Sequence, residues 1–317
     1  MGNVFYFEWE VALMVFLQAH IHGIWISIVS FFTLFGQETF MIAIMAYLYY
    51  AYDKLIGKYV GVCLMVANVL NPMIKNVALR RRPYMDNDEI QCLKAVSTDG
   101  DIMDVNVQGF SMPSGHTTSA TVLYSSISYY IQNKRMAVAS GILIWLVAFS
   151  RVVLGVHYPT DVLAGMACGI FVVFIIPFLR VRMTKKEYLY ALIAILMLPG
   201  FFYCKTTDFY TSYGMMIGFF IGDRLDTRIV RFKNTNSFIR GVLRVVGGAA
   251  IYFGLNTILK LPFSSDFLNS ATTAAYLVRT IRYAIVVTVM IGVYPMCFDK
   301  IPIIQKLEKP GKPARNS

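Results

Sequence analysis

The chain has 317 residues, 57% of them hydrophobic and 15% charged, with a formal net charge of +11 at pH 7. That composition excludes an ordinary soluble core and describes a membrane protein. The positive excess does not point to nucleic acid, because the basic residues sit in short loops between apolar runs.

Residues 1–23 contain no Lys or Arg, so no cleavable signal peptide is expected. The stretch FYFEWEVALMVFLQ is too short and too acidic for a membrane span. Its aromatics suit a helix lying in the interface. Nine spans are then expected, at about 24–50, 57–80, 114–131, 137–154, 160–179, 187–204, 209–222, 241–259 and 272–297. The expected fold is therefore all-α: a polytopic membrane helical bundle of about nine transmembrane helices plus an N-terminal interfacial helix. It divides into an interfacial segment (1–23), a core (24–183), additional spans (184–299) and a tail (300–317) whose end, KLEKPGKPARNS, reads as disordered.

Three charges fall inside expected spans: Glu38 in the first, and Arg279 and Arg282 in the last. Buried charges need partners. A structural ion pair is the expectation, and a polar lining near a substrate path is the alternative. Cys63, Cys92, Cys168, Cys204 and Cys297 form no close-spaced motif and read as small hydrophobes. His20 and His22 have no third ligand nearby, so no metal site is expected.

The basic residues fall on one side. Lys54, Lys58, Lys134, Arg135, Arg180, Arg182, Lys185, Lys186, Arg224, Arg228, Arg231, Lys233, Arg240 and the tail's Lys300, Lys306, Lys309, Lys312 and Arg315 occupy alternate connections. The other connections hold Lys94, Lys205 and Lys260. The asymmetry predicts an extracytoplasmic N-terminus and a cytoplasmic C-terminus. One group breaks the trend: Arg80, Arg81 and Arg82 fall on the outer side, where an anchoring role fails and an anionic ligand is the better account. The acidic connection that follows them, 84–113, is long for a membrane loop, which favours a function for it.

Three clusters share that outer side. Lys75 precedes Arg82-Pro83 by about two helical turns, so the two cations share a face if the helix reaches Arg82, with Pro83 ending it. Pro113, Ser114, Gly115 and His116 open the third span, where free N–H groups form an anion site. Ser150-Arg151 ends the fourth span, and His157 precedes the fifth, whose first turn holds Pro159 and Asp161. Asp161 can reach an imidazole nitrogen of His157, or serve only as a helix cap. Two histidines, a carboxylate and three cations on one membrane face suggest phosphoryl transfer.

Read together as K-x6-RP, PSGH and SR-x5-H-x3-D, the clusters resemble the signature of the type-2 phosphatidic acid phosphatase superfamily, over about residues 57–180. The resemblance implies that His157 is a nucleophile forming a phosphohistidine, that Asp161 orients it, and that His116 protonates the leaving group. It implies that Lys75, Arg82, Ser114, Gly115 and Arg151 hold the phosphate, with no metal and no cofactor. Arg80 and Arg81 lie outside the signature and are open as ligands of a second phosphate or of lipid headgroups. The expected protein is a multi-pass cell-membrane hydrolase with an extracytoplasmic site and a lipid phosphate or diphosphate substrate, such as undecaprenyl diphosphate or phosphatidate. Lys75, about 10 Å inside its span end, is reachable from the bilayer. The rival readings are a phosphatase of a soluble ester such as a sugar phosphate, transfer to an acceptor other than water, and a lipid transporter.

Overall fold

The computed structural model describes residues 2–98 and 100–298; the expected tail at 300–317, with its five basic residues, lies outside them. Eleven principal helices follow one another: α1 (Glu8–His20), α2 (Ile24–Phe32), α3 (Glu38–Tyr47), α4 (Lys54–Ala78), α5 (Gly115–Ile131), α6 (Lys134–Val153), α7 (Pro159–Arg182), α8 (Lys186–Met197), α9 (Thr207–Leu225), α10 (Phe238–Ile258) and α11 (Thr273–Thr288). Among the described residues there is no strand, only an isolated bridge between Asn3 and Arg80. The all-helical membrane architecture expected from the sequence is observed.

By length and composition alone, the described residues hold fewer helices that qualify as spans than the nine expected. Six helical segments qualify, and a seventh if α2 and α3 form one span bent by 48°. The expected spans 114–131 and 209–222 are the helices α5 and α9, but neither qualifies: α5 has only 17 residues, and α9 carries Asp208, Asp223 and Arg224.

Local chemistry sets the helix ends. Asp53 Oδ1 accepts from the N–H groups of Leu55 (2.7 Å) and Ile56 (3.2 Å) and starts α4. Asn133 and Thr272 cap α6 and α11 in the same way. Pro159 occupies the first turn of α7, where a missing N–H has no consequence. Leu79, at φ 53°, terminates α4. The helix therefore stops before the arginines, and Pro83 starts a short turn (Pro83–Asp86) instead of ending α4. Lys75 lies about 5 Å from the helix end, not 10 Å.

Two seams hold the bundle together. A side chain at Gly165 of α7 would fall 2.8 Å from the Ser114 carbonyl, and one at Gly169 2.7 Å from Thr121 Cβ, so α5 and α7 meet backbone to backbone. Farther along, Gly214 and Gly218 of α9 lie against the carbonyls of Thr280 and Ala284 of α11. This spacing of small residues lets membrane helices approach closely.

At the end of the bundle away from the two histidines, buried ion pairs join α4 to α8 and α9. Lys58 meets Asp223 at 2.7 Å and Asp226 at 2.8 Å, Lys54 meets Asp226 at 2.9 Å, and Lys186 meets Asp223 at 2.5 Å. Loop-side lysines that read as orientation signals are also structural ties.

Candidate active site

The three sequence clusters converge. Asn71 of α4 donates to the Pro113 carbonyl (3.3 Å) and to Thr118 Oγ1 (3.2 Å), fixing α4 against the start of α5. Ser114 caps α5: its Oγ accepts from Thr117 N (3.5 Å) and Thr117 Oγ1 (3.0 Å). Its own N–H donates to the Asp161 carbonyl (3.0 Å), which ties the second cluster to the third. Pro113 lies just outside α5, not in its first turn. The Gly115 and His116 N–H groups at this helix start have no acceptor among the described residues.

Arg82 is buried and its position is fixed by carbonyls. It donates to Gln108 O and Gly109 O through Nε, to Gln108 O through Nη2 (2.5 Å), and to Val156 O through Nη1 (2.9 Å). The same Nη1 lies 3.5 Å from His157 Nε2. Because α4 ends early, Lys75 and Arg82 do not share a helical face; the turn at Leu79 and the carbonyl cradle bring Arg82 to His157. This is where the long loop 84–113 serves the site: Gln108 is pinned by its own side chain to Val96 N, Ser97 N and Ser97 O, and its carbonyl receives Arg82.

An arginine N–H facing Nε2 requires a lone pair there, which leaves the imidazole proton on Nδ1. Nδ1 looks toward Asp161 Oδ2 at 3.6 Å, too long for a direct hydrogen bond. Burial, and then the charges of Arg82, Arg151 and Lys75, push the His157 pKa well below the ordinary imidazole value. His157 is neutral at neutral pH.

Asp161 is fully buried. Its Oδ2 accepts from Tyr158 N (2.8 Å) and its Oδ1 from Arg80 Nη1 (2.7 Å). The cap role and the His-facing role weighed from sequence coexist in one carboxylate.

Arg151 is buried at the end of α6. It donates to Thr33 Oγ1 at 2.6 Å, and its Nε has no partner. Thr33 belongs to the 3-10 turn (Thr33–Gly36) at the bend between α2 and α3, and a side chain at Gly36 would fall 3.1 Å from His116 Cβ. The bend thus packs on the site. His116 lies in the fields of Arg151, His157, Lys75 and Arg82. Lys75 Nζ makes no hydrogen bond among the described residues.

Arg80 corrects an expectation. Left open as a second phosphate ligand, it is 1% exposed, with its donors committed to the protein: Phe5 O (2.8 Å), Thr160 Oγ1 (2.7 Å), Asp161 Oδ1 (2.7 Å) and Glu10 Oε2 (2.8 Å). Its guanidinium also lies 4.0 Å from the Tyr158 ring. Arg81, partly exposed, pairs with Asp86 at 3.2 Å and donates to Met85 O.

Sequence reasoning missed Glu10 of α1. Wholly buried, it accepts from Phe7 N, Arg80 Nη2, Thr160 N and Thr160 Oγ1. Gln18, two turns on, exchanges hydrogen bonds with Gln91 and donates to Val153 O. One face of α1 is therefore docked on the site, while Trp9, Leu13 and Phe16 are exposed on another. The only sequence signal was an acid inside an apolar segment.

Among the described residues, no group of three His, Cys, Asp or Glu is gathered as a metal site. The five cysteines are free.

Fold and site define a polytopic helical membrane protein with a buried, cation-rich His–Asp centre. The PAP2 superfamily profile matches residues 56–185, and the profile of the PAP2 superfamily phosphatase transmembrane extension matches residues 210–306. The chain belongs to the PAP2 superfamily. It is 37% identical over 81 residues to phosphatidylglycerophosphatase B of Bacillus subtilis, covering 23% of this chain and 40% of that protein. It is 29% identical over 155 residues to undecaprenyl-diphosphatase of Sulfolobus acidocaldarius, covering 47% of this chain and 68% of that protein. It is 39% identical over 59 residues to lipid A 1-phosphatase of Rhizobium etli, covering 19% of this chain and 25% of that protein. A crystal structure of the transmembrane PAP2-type phosphatidylglycerolphosphate phosphatase from Bacillus subtilis aligns with TM-score 0.43 and 23% identity, covering 56% of this chain and 86% of that one.

Proposed function

We propose that this protein hydrolyses a lipid phosphate or diphosphate through a phosphohistidine, with its site open to the extracytoplasmic face of a cell membrane. The observation that carries the reading is His157, held neutral, with Nε2 beside Arg82 and Nδ1 toward Asp161.

Lys75, Arg82, Arg151 and the free N–H groups of Gly115 and His116 bind the phosphate oxygens. Ser114 holds the helix start in place. His157 Nε2 attacks phosphorus as the bond to the leaving oxygen breaks, and His116, protonated once the anionic phosphate is bound among those cations, gives that oxygen its proton. Water then attacks the phosphohistidine, His116 takes back a proton, and inorganic phosphate departs. Fixed cations at the developing charge supply the electrostatic part of catalysis without a metal. In this reading the chain crosses the membrane nine times. Residues 24–183 form the catalytic unit, and 184–299 shape access to it. The one-sided basic residues support an extracytoplasmic site.

The test is phosphate release by purified protein in detergent with EDTA, over undecaprenyl diphosphate, phosphatidate, sphingosine phosphate and glucose 6-phosphate. We expect release from at least one lipid, and none from H157A. Preference for glucose 6-phosphate would overturn the lipid assignment, and loss of activity with EDTA would overturn the metal-free one.

A further inference from the structure

A cleft of about 480 Å³ separates the catalytic unit from the C-terminal helices. Its walls come from α3 and α4 on one side and from α9, α10 and α11 on the other. One end is polar, with Glu38, Thr39, Thr211, Tyr252 and Tyr283. The rest is apolar, lined among others by Ile42, Met65, Met215, Phe219 and Val287. At the far end Tyr50 spends its hydroxyl on Met290 O (2.8 Å). From Glu38 to Tyr50 the cleft runs about 18 Å by helical rise. A volume in this range is that of a ligand pocket, and this one is shaped for an amphiphile.

Glu38 is the unusual member. In the first turn of α3, exposed just after the bend, it has no hydrogen-bond or ion-pair partner among the described residues. The structural ion pair expected from sequence does not form: Arg282 Nε donates to Asn256 Oδ1 (3.2 Å), and its guanidinium lies on the Tyr283 ring at 5.5 Å. The alternative, a polar lining of a path, describes Glu38 at the mouth of the cleft. A carboxylate so placed calls for a donor.

The mouth also lies next to the reaction. Gly36, two residues before Glu38, packs on His116, the residue that faces the leaving group in the reading above. The bend therefore carries both the contact to His116 and the first turn of α3 that opens the cleft.

We propose that this cleft holds the hydrocarbon chain of the lipid substrate. Glu38 accepts a hydrogen bond from a hydroxyl or ammonium group near the phosphate-bearing carbon. The C-terminal extension is thereby part of substrate selection. This inference rests on the phosphatase reading and names the substrate class within it.

Two variants and one label test it. The first measure is the ratio of kcat/KM for a long-chain lipid phosphate to that for its short-chain, water-soluble analogue. Filling the cleft with A249W lowers this ratio about tenfold, chiefly through KM. E38Q lowers the preference for a hydroxyl- or amino-bearing lipid phosphate over phosphatidate by about tenfold, the scale of one charge-assisted hydrogen bond. Unchanged ratios would overturn the proposal. In wild-type protein, a lipid phosphate with a photoreactive chain terminus should label residues of α9 or α10 facing the cleft, whatever the fate of the variants. Substrate should compete with this label, and phosphatidylcholine should not. Labelling elsewhere, or competition by phosphatidylcholine alone, would instead mean no substrate chain there or a resident bilayer lipid. Turnover of the short-chain ester by wild-type protein upholds the hydrolase even where the cleft proposal fails.

Discussion

Replacing Glu10 by Gln probes the contact through which the N-terminal helix reaches the reaction centre. The carboxylate accepts four hydrogen bonds with no exposure to solvent. An amide offers one oxygen, so its NH2 must face either Arg80 and Phe7 N or Thr160. The Thr160 hydroxyl can turn and accept, which leaves Thr160 N unpaired in the gentler arrangement. An unsatisfied buried donor costs ~1–3 kcal/mol and a bond to a charged group is worth ~1.5–3 kcal/mol. Removing one member of a buried ionic set costs about 3–5 kcal/mol. We therefore expect E10Q to lose about 3 kcal/mol of stability, seen as a lower thermal midpoint in detergent. Arg80 also holds Asp161, and Asp161 faces His157, so the change reaches the nucleophile. A displacement of ~1 Å at a reacting group costs up to ~100-fold in rate, and kcat should fall by tenfold or more with KM little changed. The double variant E10Q/R80M should be less impaired than the sum of its parts, because both act through one network. A variant with wild-type midpoint and wild-type kcat, or one changed only in KM, would refute this reasoning.

R80K should lower kcat for mono- and diphosphate lipids alike; a selective loss of diphosphate hydrolysis would restore Arg80 as a phosphate ligand. Because His157 titrates well below its ordinary value, the acid limb of kcat/KM should lie below pH ~6.5, and R82Q should move it upward. The sign for stability is the same: below ~6.5 the unfolded chain binds a proton that folded His157 refuses, so this residue weakens the fold as pH falls and costs nothing above. An acid limb unmoved by R82Q would count against that cation as the source. G218L should unseat α9 from α11 and lower the thermal midpoint, since its side chain would meet the Ala284 carbonyl; an unchanged midpoint would show that the seam has slack.

The helical architecture was legible because apolar runs of membrane length leave few alternatives. The site was legible because each cluster carries its own local signal: a cation before a proline, a Ser-Gly helix start, a His four residues before an Asp. What the sequence hid is how groups far apart in the chain share donors and acceptors. Arg80 and Arg82 are neighbours in a basic run, yet one binds carboxylates and the other carbonyls and a histidine. Both follow the left-handed turn at Leu79 that ends α4, and no propensity marks a leucine for it. Glu10 was invisible for the same reason: its partners lie 70 and 150 residues away. The early end of α4 and the bend before Glu38 are decided by packing on the site, which overrides the apolar pattern. The Gly214–Gly218 spacing stands in the sequence, but the carbonyls of Thr280 and Ala284 that it meets on α11 do not.

The most direct measurement is a search for phosphate on His157. Protein mixed with radiolabelled substrate and quenched in alkali within milliseconds should carry acid-labile, base-stable phosphate, located by mass spectrometry on the peptide containing His157. H157A should carry none, and H116A should accumulate more from a substrate with a good leaving group, since its dephosphorylation lacks a base. Turnover with no phosphoprotein at any quench time, together with activity surviving in H157A, would contradict the histidine mechanism.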